Sequence, residues 1–125
     1  MRISGKDAIV LCAVWTISLM LLLNLCDLVF GCGCTWAWAG AVRHCDVHHA
    51  APPHCPWCSH GWRGFLWVPA LIFSAEAGAV LALRKRGALA QFLGGGGAFL
   101  AAGAAAGFLS ALMDGYPRWL GISLR

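Results

Sequence analysis

Three long apolar stretches, residues 8–30, 65–83 and 88–113, leave this chain few architectures. A helix crosses the hydrocarbon core of a bilayer with about 20 consecutive apolar residues, because it satisfies its backbone polar groups internally. Hydrophobic residues make up 60% of the 125 and charged residues 11%, with a mean hydropathy of +0.72. Soluble domains carry about a quarter charged residues. The expected fold is an all-α membrane protein with three transmembrane helices and a Cys/His-rich extracytoplasmic loop, residues 31–63, between helices 1 and 2. No length remains for a soluble domain, so residues 1–125 read as one membrane unit that ends in an outer tail, residues 114–125.

Orientation follows the placement of Lys and Arg, which favour the cytoplasmic side. Arg2 and Lys6 precede the first stretch, and the second connection is the basic turn Arg84-Lys85-Arg86. The long loop has only Arg43 and Arg63, and the tail Arg118 and Arg125. The expectation is a multi-pass protein of a bacterial inner membrane, with a cytoplasmic N-terminus and a periplasmic C-terminus. Ala37-Trp38-Ala39 has the small-x-small form of a signal cleavage site. The preceding apolar run exceeds the 7–15 residues of a signal h-region, so a retained helix is expected.

The loop carries the chemistry. It holds all five histidines, His44, His48, His49, His54 and His60, and five of the seven cysteines, Cys32, Cys34, Cys45, Cys55 and Cys58. Thiolate and imidazole are the preferred ligands of zinc and of thiophilic copper. Cys55-Pro56-Trp57-Cys58 has a spacing that turns two sulfurs to one metal or closes one disulfide. Cys45, Cys55, Cys58 and one histidine make a plausible four-ligand set for a copper or zinc ion. Ser59 follows the second cysteine, which excludes the covalent haem attachment motif.

Extracytoplasmic cysteines also oxidise readily. Cys32 or Cys34 would then pair with Cys45, Cys55 or Cys58, and five loop cysteines leave one over. Three function classes follow. The first is a metal-handling protein or an accessory subunit of a membrane redox complex. The second is a thiol–disulfide redox protein with Cys55 and Cys58 as the exchanging pair. The third is a structural small subunit with a disulfide-stiffened loop. The sequence assigns no catalytic residue and leaves open whether the chain is an enzyme.

Outside the loop, Cys12 and Cys26 lie in the first apolar stretch and read as small, inert hydrophobes. Asp27 reads as a helix-end carboxylate at interfacial water. Glu76 lies deep in the second stretch, where an unpaired carboxylate is costly. It calls for a hydrogen bond from Thr16 at matched depth, or for a proton or cation role. The third stretch contains the pair Gly103 and Gly107, with Gly94, Ala98, Ala102 and Ala106 as a parallel ridge of small residues. Small ridges let helix backbones approach closely in lipid. That helix is expected to pack inside the bundle or against other membrane subunits. Six of the seven tryptophans fall toward the loop side, so a partner could also meet the chain there. The lipid bilayer is an expected partner and nucleic acid is not.

Overall fold

The computed structural model describes residues 3–124, and side chains within 62–65 lie outside that description. Helix α1 spans Gly5–Phe30, the short α2 Pro56–Ser59, α3 Gly61–Ala82 and α4 Ala88–Asp114. Two two-residue strands, β1 Arg118–Trp119 and β2 Ile122–Ser123, pair antiparallel in the tail. The chain is mainly helical, as its composition implies. Two helices, α1 and α4, are long and apolar enough to cross a membrane. Among the described residues, the apolar part of α3 is Leu66–Ala82.

Local chemistry sets the helix ends. Ser4 accepts from the Asp7 N–H while the Asp7 carboxylate accepts from the Ser4 N–H, a reciprocal cap that fixes the start of α1. Gly31 ends α1 in the left-handed conformation, with φ 62° and ψ 37°, and its N–H donates to the Asp27 carbonyl. Pro56 occupies the first position of α2, where a missing N–H costs nothing. Pro69 falls early in α3 and leaves it one continuous helix. The exposed turn Arg84–Arg86 reverses the chain between α3 and α4. The N-terminus and this basic turn therefore share one end of the bundle, and the loop and tail share the other.

Polarity runs inward. Ile9, Ile17, Leu19, Leu28, Leu71, Leu93, Leu100 and Met113 are exposed along the helices, while Asp7, Ser18, Glu76 and Gln91 are buried between them. The Gln91 side-chain amide donates to Asp7 Oδ1 at 2.8 Å and to the Val80 carbonyl at 3.2 Å, tying α1, α3 and α4 together. Glu76 is fully buried, but its partner is Ser18, whose hydroxyl donates to Oε1. The expected partner Thr16 is exposed and donates to the Cys12 carbonyl of its own helix instead.

The small-residue ridge is used within the chain. A Cβ on Gly103 would collide with Leu25 Cδ2 of α1, and one on Gly107 with Val29 Cγ1. These two glycines let α4 lie against the last turns of α1. Gly97 faces open space, with nothing within 4 Å of a built Cβ. Gly103→Leu and Gly107→Leu are each expected to cost about 1–3 kcal/mol through overpacking. Thermal unfolding in detergent should show lowered midpoints for both and a near-parental midpoint for Gly97→Leu. Equal midpoints for all three would refute this assignment of the α1–α4 contact.

Candidate metal centre

Six cysteines converge where α1, the loop and α2 meet. Cys26 comes from the penultimate turn of α1, Cys32 and Cys34 from the irregular turn that follows that helix, Cys45 from mid-loop, and Cys55 and Cys58 from the start and body of α2. All are unbridged thiols, and all but the half-buried Cys58 are buried. Cys26 Sγ lies 3.3 Å from Cys55 Sγ, 3.5 Å from Cys32 Sγ and 4.0 Å from Cys58 Sγ. Cys34 Sγ lies 3.5 Å from Cys32 Sγ and 3.8 Å from Cys58 Sγ. The seventh cysteine, Cys12, is exposed on α1 and takes no part.

The six sulfurs fall into four triangles able to hold a metal ion: Cys26/Cys55/Cys58, Cys26/Cys32/Cys34, Cys32/Cys45/Cys55 and Cys34/Cys45/Cys58. Within each, the donor atoms lie no more than 4.8 Å apart. Every cysteine belongs to two triangles and so has four sulfur neighbours. Each shares no triangle with one remaining cysteine: Cys26 stands opposite Cys45, Cys32 opposite Cys58, and Cys34 opposite Cys55. Six points with that pattern of neighbours are the corners of an octahedron.

Backbone turns place these side chains. After the Gly31 cap the chain doubles back through Gly33, at φ 85°, where a Cβ would stand 2.5 Å from the His44 carbonyl oxygen. Only glycine admits that approach, which brings the Cys32–Cys34 segment against the Cys45 segment. The Gly33 N–H donates to Asp27 Oδ1 at 2.8 Å, so Asp27 holds this turn rather than facing only water.

Asp46 is the central polar group. Its N–H donates to the Cys32 carbonyl at 2.9 Å, and its Oδ1 accepts the Cys55 N–H at 2.7 Å. Its Oδ2 accepts the Tyr116 hydroxyl at 2.6 Å, and its carbonyl meets His54 Nδ1 at 3.0 Å. Burial, and then the adjacent Asp46 carboxylate, pushes the Tyr116 hydroxyl above the usual tyrosine range and keeps it a donor. The tail is pinned as well: the Leu120 N–H donates to the Val29 carbonyl at 2.7 Å, and Trp119 Nε1 to the Ala104 carbonyl at 2.9 Å. Trp57 is buried against Phe30 and donates to the Ser110 hydroxyl at 3.0 Å. These two indoles are packing groups, whereas Trp36 and Trp38 stack on each other at the exposed surface.

The thiols differ in acidity. Cys32 and Cys58 are held well below the ordinary thiol range because neighbouring thiols, Cys26 first, donate to their sulfurs. Burial pushes Cys45 up to about 12. Cys58 also borders a largely apolar cavity of about 580 Å³ with Cys26, Val42, His48 and Trp57.

The expected ligand set is thus only partly assembled. Cys45, Cys55 and Cys58 are present, together with Cys32 and Cys34, which had read as disulfide partners. The histidines are not. Among the described residues no histidine joins a metal-holding group. His44, His48, His49 and His60 are exposed, His54 is engaged by Asp46, and His60 Nε2 pairs with Asp114 at 2.9 Å. Cys26 is the member that sequence reading missed. The odd count of five loop cysteines was the signal, since a sixth must come from outside the loop.

No protein-family model, curated protein or solved structure matches the chain.

Two outcomes test this geometry. Cys26→Ser should reduce bound metal as deeply as Cys55→Ser, whereas His44→Ala and His49→Ala should leave it near the parental level, by elemental analysis of purified protein. Parental metal content in Cys26→Ser would remove α1 from the centre. Asp46→Ala strips buried donors of their acceptor, at about 1–3 kcal/mol for each group left unsatisfied. It should lower both thermal stability and metal affinity while a thiol count still finds all the cysteines.

Proposed function

We propose that this chain is a membrane protein that binds copper as Cu(I) through its cysteine cluster, in metal handling or as an accessory subunit of a membrane redox complex. The observation that carries this reading is the all-sulfur donor set grouped in threes. Thiolate is a soft ligand favoured by Cu(I), zinc and iron–sulfur clusters, so coordination geometry must decide among them. Zinc takes four ligands at tetrahedral corners, about 2.3 Å from each sulfur. Any four corners of an octahedron include an opposite pair, so no four of these sulfurs are all mutual neighbours. Three-coordinate Cu(I) uses the triangles as they stand.

The membrane reading rests on the two long apolar helices, the apolar outer surface and the buried polar contacts between helices. We take α3 as the third span, since it packs against both other long helices. With the Arg84–Arg86 turn on the cytoplasmic side, the thiol cluster and the tail lie on the extracytoplasmic side, the periplasm of a bacterial inner membrane. The exposed Trp36/Trp38 stack then sits at that surface, where a partner subunit can meet it.

The test is metal competition. Protein reduced and kept anaerobic in detergent, offered Cu(I) and Zn(II) together, should retain copper and exclude zinc. Retention of zinc with exclusion of copper would overturn the choice of metal, and retention of neither would overturn metal binding.

A further inference from the structure

We infer that the six cysteines build one closed tetracopper(I) hexathiolate cluster, with each thiolate bridging two copper ions. The inference rests on the copper reading above and extends it from the identity of the metal to the number of ions and the way they are joined.

The six sulfurs outline an octahedron, and four of its eight faces, taken alternately, use every sulfur. Each triangle offers three sulfurs, the number a trigonal Cu(I) ion takes. Taking four alternate faces of the octahedron places each sulfur in two of them, the number of metals a bridging thiolate holds. The four triangles are alternate faces of the octahedron and meet only at corners, so four ions can occupy them without sharing an edge. Every donor is then used twice, and no further ligand is required. That fits the absence, among the described residues, of any histidine or carboxylate from the metal-holding groups.

Distances agree. For a metal–sulfur bond of about 2.3 Å, planar trigonal geometry sets the sulfurs of one face about 4.0 Å apart. The shortest contacts, 3.3 Å and 3.5 Å, lie a little inside that spacing, and Cys26–Cys58 matches it at 4.0 Å. Loading requires a slight outward breathing of the sulfurs. A pair of zinc ions sharing six thiolates would instead need two tetrahedra joined along an edge, each with four mutually adjacent sulfurs, which this arrangement does not provide.

The assembly balances. Each cysteine that still carries an S–H loses its proton to solvent, and twelve Cu–S bonds form to four Cu(I) ions. Copper keeps its oxidation state, so neither oxidant nor reductant is consumed. The cluster carries two net negative charges, six thiolates against four monovalent ions. Because every thiolate serves two metals, partly filled clusters leave bridges one-sided, and filling is cooperative.

The experiment is a titration of reduced, anaerobic, detergent-solubilised full-length protein with Cu(I), buffered by a coloured Cu(I) chelator and followed by native mass spectrometry. The expected result is metal-free and four-copper protein with little between them, and protons released in step with the copper bound. X-ray absorption should show trigonal sulfur coordination with short copper–copper scattering. Cys45→Ser removes two triangles and leaves the two that meet at Cys26, so it should hold at most two ions and lose cooperativity. Cys58→Ser, at the least buried corner, should do the same and serves if the first variant does not fold. A parent that saturates tightly at one or two copper ions overturns the tetranuclear cluster while the copper reading stands. A parent that retains no Cu(I) overturns both.

Discussion

The Asp46 side chain and peptide hold the cysteine-rich end of the molecule together. One residue bonds the Cys32 carbonyl, the Cys55 N–H and the Tyr116 hydroxyl, and directly follows Cys45. Three loop segments and the tail are thereby fixed relative to one another. Thiols make weak hydrogen bonds and cannot enforce such an arrangement themselves. The sulfur octahedron sits within the backbone frame that these bonds hold.

That frame depends in turn on how α1 meets α4. Cys26 is a corner of the cluster only because α1 presents one particular face at its C-terminal end. Leu25 and Val29, on either side of Cys26 in sequence, fill the space above Gly103 and Gly107. The same contact that seats the helix sets the direction of the Cys26 side chain. The tail reinforces it through the Val29 carbonyl. The small residues of α4 thus act on the thiol cluster at a distance, by fixing the rotation of the helix that supplies Cys26.

Polar groups within the bundle follow the same economy. Where hydrocarbon surrounds the helices, an unpaired polar side chain is expensive, and the structure gathers Ser18 with Glu76 and Asp7 with Gln91 between helices. Both contacts link α1 to a later helix. They specify register along an interface whose apolar side chains alone would permit sliding.

Sequence alone determined the helices and the location of the chemistry. Helix extents follow from runs of apolar residues and from Gly, Ser and Pro signals within a few positions, all of them local properties. The concentration of cysteines between the first two long helices is likewise visible without a fold. What the tertiary structure decided is which groups meet. Thr16 and Ser18 lie at nearly the same depth, but residues two apart on a helix face opposite ways, so depth matching selected the wrong hydroxyl for Glu76. Histidines and cysteines share the loop, yet only the thiols turn inward, because the tight turns at Gly33 and Asp46 fold their segments against α1. Cys26, taken from the sequence as an inert core residue, joins the thiol cluster through helix rotation and chain reversal. Those are properties of the whole assembly and leave no trace in local spacing.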